Sequence, residues 1–196
     1  MTRDRIFTAA KAIFDREGLE GLSIRNVAKA VGLTPMAIYR HYADKDALID
    51  ALMLDGFAAW ETIVTSIRAK DPMIWLQQSL EAYLDFALAQ PHRFDAAFIL
   101  PARSARHYPD DFVAGRSPVV AMAMARIEQV KKDGRLGDAP TLEIALTLSA
   151  LAQGLVSMQR AKRFADEKEF RALYRTAIRH GIAGFQKSAV KRRKSR

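Results

Sequence analysis

The chain has 196 residues, 49% of them apolar, enough for one medium domain or for a small domain joined to a larger one. Cysteine is absent, which excludes a disulfide frame and thiolate metal sites, and the net charge of +9 points to a polyanionic partner. No run of 18 uncharged apolar residues occurs and the acid-bearing N-terminus lacks a leader's apolar core, so the chain is expected to be cytoplasmic, without a membrane span.

Helical periodicity runs through the chain and no strand-like alternation appears, which predicts an all-α fold. Ile6, Ala10, Ile13 and Phe14 form the apolar stripe of a first helix that ends near Gly18. Ser23 caps a second helix that buries Val27, Ala28 and Val31. Gly32 must stop it, since glycine accepts left-handed backbone without steric cost. Thr34 offers a hydroxyl cap, and Pro35 fills the first position of a third, very short helix, where a missing N–H does no harm. That helix carries Met36, Ala37, Tyr39, Arg40 and His41 on faces that cannot all be core, while Leu33 and Ile38 lock it to the first two. A short exposed helix propped by another is the geometry that enters a DNA major groove.

Asp44 caps a fourth helix expected to run from Lys45 to about Ala69 and to join the two halves of the chain. Asp71-Pro72 opens the next, which Pro91 ends, and a short helix follows around His92–Leu100. Residues 101–117 read as loop with one helical turn. Ser117-Pro118 starts a helix that Gly134 stops, with Val119, Met122, Ala123, Ile127 and Val130 on its apolar face. The last two helices, about Thr141 to Phe164 and Asp166 to Lys187, are apolar on more than one side. One subunit has too few helices to cover them, which predicts a homodimer closed by a four-helix bundle. Leu148, Leu151, Leu155, Met158, Tyr174, Ile178, Gly181, Ile182 and Phe185 are its expected interface residues. The end of the chain concentrates Lys187, Lys191, Arg192, Arg193, Lys194 and Arg196, which leaves only +3 elsewhere. Residues 188–196 are expected to be disordered, either a phosphate-binding arm or a solvated end.

The stretch LSIRNVAKAVGLTPMAIYRHYADKDAL, preceded by a helix ending in glycine, resembles the TetR family of bacterial transcriptional regulators over roughly residues 5–53. PHRFDAAF and ALAQGL resemble segments of one C-terminal subgroup, in which a histidine often stands where this chain has Gln153. The resemblance implies a helix-turn-helix DNA-binding head (1–46), a larger helical ligand-binding and dimerisation domain (47–187), and release from DNA when a ligand binds. The expected function is that of a repressor on a palindromic double-stranded operator.

Within that frame Arg25 reaches a guanine edge or a phosphate, and Thr34 either caps alone or also meets a phosphate. Pro35, Met36 and Ala37 stand nearest the bases and can touch thymine methyls but not make bidentate hydrogen bonds. Arg40 is a second polar reader, and Tyr39 and His41 face either the backbone of DNA or their own domain. Lys45 sits at a helix N-terminus, where the dipole disfavours a cation unless an anion binds there. For a small lipophilic effector, Trp60, Tyr83, Phe98 and Met122 are the expected lining, with Arg126 or Gln153 orienting it. No cofactor and no metal are expected. An architectural DNA binder using the basic tail is the main alternative. An enzyme is a weaker one, because His41, His92, His107 and His180 are scattered without metal-ligand spacing and no phosphate-cradling glycine loop is present.

Overall fold

The computed structural model describes residues 2–186, so the expected disordered tail and the far end of the last predicted helix lie outside them. Ten α-helices follow one another, with no strand among the described residues. They are α1 (Thr2–Gly21), α2 (Ile24–Val31), α3 (Pro35–Tyr39), α4 (Lys45–Thr65), α5 (Pro72–Ala89), α6 (Pro91–Phe98), α7 (Asp110–Val113), α8 (Pro118–Lys132), α9 (Thr141–Arg160) and α10 (Glu167–Gly184).

The chain forms two compact units. The first takes residues up to Ile63 together with Asp85–Arg106. It is therefore larger than a head of residues 1–46, because Leu48, Ile49 and Leu52 of α4 and Ala96 of α6 share one core with Ile6, Phe14, Leu22, Val27 and Ile38. Helices α4 and α6 cross closely at Gly56, where an added Cβ would lie 2.8 Å from the Arg93 carbonyl oxygen and 3.0 Å from the Ala97 Cβ. Beside that crossing, Asp55 Oδ2 takes ion pairs from Lys11 of α1 (3.2 Å) and Arg93 of α6 (2.8 Å). Gly18 is the true end of the first straight helix: its φ of +66° breaks α1, and the last turn to Gly21 is a separate piece. The same residue lets His92 approach, the ring lying 3.4 Å from where a Cβ would be.

The second unit comprises Val64–Leu84 and the described residues from His107 onward. Here α9 packs against α8 on one side and α10 on the other. By length and composition α9 could cross a membrane. In this fold one side of it, Ile144, Ala145, Leu148, Ala152 and Val156, is core. Three helices stop earlier than periodicity predicts. The α4 spiral closes at Thr65, where the Ile67 N–H turns back to the Val64 carbonyl and ends the run short of Ala69. At the end of α9, Lys162 takes a left-handed φ of 54° and the Arg163 N–H returns to the Met158 carbonyl, so Phe164 lies beyond the helix. Helix α10 ends at Gly184, after a start capped by Asp166, whose carboxylate accepts from the Glu169 N–H at 2.7 Å.

The expected dimer residues divide on this geometry. Leu148, Tyr174, Ile178 and Ile182 are buried within their own chain, so they are core and not partner-facing. Tyr174 donates its hydroxyl to the Leu80 carbonyl of α5 at 2.6 Å, which fixes its inward direction. Gly181 does admit a helix, but that helix is α9 of the same chain: a Cβ there would sit 2.9 Å from Leu151 Cδ2 and 3.3 Å from Leu148 Cδ2. Leu151, Leu155 and Phe185 are half-buried, and Met158 stands exposed.

Candidate nucleic-acid interface

The second and third helices are built by local chemistry that places one surface outward. The Ser23 hydroxyl accepts from the Asn26 N–H at 3.1 Å and starts α2. Gly32, at φ +69°, ends it, and the Leu33 N–H returns to the Ala28 carbonyl at 2.9 Å. Two residues later Thr34 Oγ1 accepts from the Ala37 N–H at 3.3 Å and starts α3. Its hydroxyl proton remains available to a phosphate oxygen. Of the five residues of α3 only Ile38 is buried, at 0% exposure, and it joins the core of α1, α2 and α4.

Everything else on α3 looks outward. Met36 is 69% exposed and Tyr39 48% exposed, with Thr34, Pro35, Arg40 and His41 also exposed and Ala37 half-exposed. Arg25, in the first turn of α2, is exposed as well. Between Gly21 and Ala43 the chain carries Arg25, Lys29 and Arg40 and no carboxylate, so this surface is locally cationic. Tyr42, in contrast, is buried, with the Arg3 guanidinium 5.2 Å from its ring centroid, and serves packing.

Lys45 differs from its expected setting. It is half-buried, and its ammonium donates to the Leu19 carbonyl at 3.1 Å, just past the Gly18 break. The unfavourable dipole position is offset by its neighbours Asp44 and Asp46, so no bound anion is required to explain the residue. Two of its three N–H donors remain for a phosphate.

Asp44 itself does two things. Its carboxylate accepts from the Ala47 N–H at 2.9 Å, capping α4, and pairs with Arg103. Arg103 also reaches Asp46 at 3.3 Å, and the Ser104 N–H donates to Asp50 Oδ1 at 3.2 Å. The segment after α6 thus straps the start of α4, next to the exposed helix. The Arg103 hydrogen bond, and after it the Ala47 N–H, holds the Asp44 carboxyl below the ordinary carboxylate range. A lowered folded-state pKa stabilises the fold above the unfolded value and ceases to do so as pH falls through the folded one. The strap is therefore intact at neutral pH. Acidification below about pH 4 is expected to shrink the stability difference between wild type and Arg103→Ala, measured by thermal unfolding at pH 7 and pH 3. Periodicity gives no sign of this strap, since 59 residues separate its partners.

Of the expected effector residues, the structure brings together Trp60 and Phe98, with ring centroids 6.2 Å apart. Phe86 stacks on Trp60 at 6.1 Å, and Phe94 lies 5.0 Å from Phe98. Tyr83, Met122, Arg126 and Gln153 belong to the second unit. Tyr83 is buried, which pushes its hydroxyl pKa up. The Arg126 guanidinium lies over the Trp75 ring at 5.5 Å and donates to Gln129, while Met122 and Gln153 are half-buried.

Residues 6–52 match the model for bacterial regulatory proteins of the tetR family, and residues 76–181, more than half of the chain, match that for the tetracyclin repressor-like C-terminal domain. The chain belongs to the TetR family. Among its relatives, the transcriptional repressor DrrR1 of Streptomyces coeruleorubidus is 51% identical over 55 residues, 28% of this chain and 20% of DrrR1. The chain thus spans only a fifth of that relative's length. The repressor Rv1474c of Mycobacterium tuberculosis is 27% identical over 162 residues, 79% of this chain and 80% of Rv1474c. The fold of this TetR-family chain is shared with a protein of unknown function from Rhodococcus sp. RHA1 (TM-score 0.74, 23% identity, 95% and 96% of the two chains). It is shared also with a TetR variant from Acinetobacter baumannii solved in complex with minocycline (TM-score 0.64, 19% identity, 91% and 93%).

Proposed function

We propose that this TetR-family protein is a ligand-responsive, DNA-binding transcriptional repressor, acting in the cytoplasm as a homodimer on a pseudo-palindromic operator. One observation carries the reading: a five-residue helix moored by Ile38 alone presents Pro35, Met36, Ala37 and Tyr39 outward on a cationic, carboxylate-free surface. Such a helix, inserted N-terminus first, brings Met36 and Ala37 to thymine methyls and leaves Arg25 and Arg40 as polar readers. Thr34, Tyr39, His41 and the spare donors of Lys45 serve the phosphates. With few bidentate readers, sequence-dependent DNA shape supplies part of the specificity.

The dimer rests on the outward side of the last two helices. From Ile144 to Gln159 helix α9 carries no charge, yet Leu146 and Met158 are 45% and 47% exposed and Ala150, Gly154 and Ser157 are exposed between them. Leu173, His180 and Ala183 are exposed on α10. Two such faces meeting across a twofold axis supply the bundle that Leu148 and Ile182 do not. The effector reading is supported by the aromatic group around Trp60, Phe86, Phe94 and Phe98, whose chemistry suits a lipophilic molecule. The minocycline complex of the A. baumannii protein supports the same use of this fold. Release then requires that the ligand favour the DNA-incompetent form, by about 1–3 kcal/mol in typical coupled systems.

Selection of bound sequences from a random DNA pool tests the regulator reading: one enriched inverted repeat is expected, and no enrichment overturns it. On that operator, Arg25→Ala is expected to blur preference at one position in each half-site, at a cost of about 1–3 kcal/mol. Lys45→Ala is expected to weaken all sequences alike and to lower the salt slope by about one charge. A salt slope equal to wild type removes Lys45 from the phosphate contacts.

A further inference from the structure

Between α5 and α10, within the second unit, lies an open groove of about 370 Å³. Its floor is Tyr174 and Ile178, both buried, and Ile74, 47% exposed, rises from α5 at its side. The polar groups at its edge are unevenly charged. Glu81 is the sole carboxylate of the lining, and Arg175 already binds it twice, at 3.0 and 2.6 Å through Nε and Nη2. Arg171 approaches the same oxygen at 3.8 Å. Arg179, one turn beyond Arg175, also lines the groove, and its recorded hydrogen bond goes to the Thr176 hydroxyl at 2.9 Å, not to an acid.

We infer that this groove is a second ligand site, selective for a small amphipathic anion: an apolar body bearing one carboxylate or sulfonate. The apolar floor takes the body of such a ligand and removes it from water. Glu81 is already engaged by Arg175, so the ligand's anionic end turns to Arg179, whose planar fork can bind a carboxylate with two parallel hydrogen bonds. A cation finds no carboxylate there that is not already paired. The volume is at the lower end of the usual range for small-molecule sites, roughly 300–1,000 Å³, which suits a mono- or bicyclic acid. The site is built entirely from α5 and α10 and shares no residue with the aromatic group of Trp60, Phe86, Phe94 and Phe98.

The test is titration of the isotope-labelled full chain with 1-naphthoate, its uncharged analogue 1-naphthalenemethanol and the cation 1-naphthylmethylammonium, followed by NMR. Naphthoate is expected to shift the Gln77 and Gln78 side-chain amides and the Arg179 Nε–H. Its affinity is expected to fall at least tenfold in Arg179→Gln and by less in Arg179→Lys, which keeps the charge and loses the fork. Ile74→Ser, at an exposed position, is expected to weaken binding without changing the unfolding temperature. Equal affinity for the alcohol and the acid, an unchanged affinity in Arg179→Gln, or shifts confined to residues outside α5 and α10 overturns the assignment. Because the readout contains no DNA, the outcome is independent of operator binding.

Discussion

Replacing Ile38 by alanine is expected to abolish specific DNA binding and to destabilise the protein by about 2–5 kcal/mol, the usual cost of truncating a fully buried isoleucine. The argument is one of mooring. Pro35, Met36 and Tyr39 are exposed, Ala37 is half-exposed, and only Ile38 reaches the core of α1, α2 and α4. A five-residue helix has no stability of its own, since nucleation alone is unfavourable. Its direction is set by this side chain, by the Thr34 cap at its start, and by the turn before it, where Gly32 ends α2 and Leu33 packs on the same core. Denaturant unfolding measures the stability loss, and titration of the selected operator measures the affinity. Met36→Ala is the matching control: at 69% exposure it is expected to leave stability unchanged and to alter only base preference. An Ile38→Ala protein that still binds the operator with wild-type affinity would show that α3 is held by something other than this contact.

Gly154→Arg is expected to yield a folded monomer whose operator affinity is lower by about 10²–10⁴, the advantage that two linked heads ordinarily confer. Among the described residues, nothing beyond its own helix turn lies within 4 Å of where a side chain at Gly154 would begin. Within one subunit the substitution is therefore harmless, and replacing a glycine inside a helix even recovers about 1 kcal/mol of helix propensity. The cost arises only if a second copy lies against this face, because two unpaired guanidiniums would then be buried near the symmetry axis. Light scattering reads the mass directly, and thermal unfolding shows whether the subunit itself is intact. A dimer of unaltered strength would move the interface away from α9.

The contrast between these two sites shows what could be read from residue order. Caps are local, so Ser23, Gly32, Thr34, Asp44 and Asp166 announce their helices, and the outward direction of Met36 and Tyr39 follows from the shortness of α3. The faces of α9 and α10 were not legible in the same way. Between Ile144 and Gln159 both sides of α9 are uncharged, so periodicity does not tell Leu148, which fills the core, from Leu146, which faces out. Ile178 and Tyr174 read as an interface stripe because the partner that covers them, α5, lies about a hundred positions earlier. The hydrogen bond of Lys45 left no local pattern for a related reason: its carbonyl partner Leu19 is 26 residues away. The Arg103 strap and the Lys11–Asp55–Arg93 group are equally distant in sequence and carry no pattern.

At Gly56 the Arg93 carbonyl and the Ala97 methyl of α6 lie against the bare backbone of α4. Elsewhere a helix can shift by a few tenths of an ångström while an intervening leucine or methionine changes rotamer and absorbs the difference. Bare main chain has no such slack. A side chain at position 56 would have to push the two rods apart, and the helix so displaced is the one whose first turn adjoins the reading head.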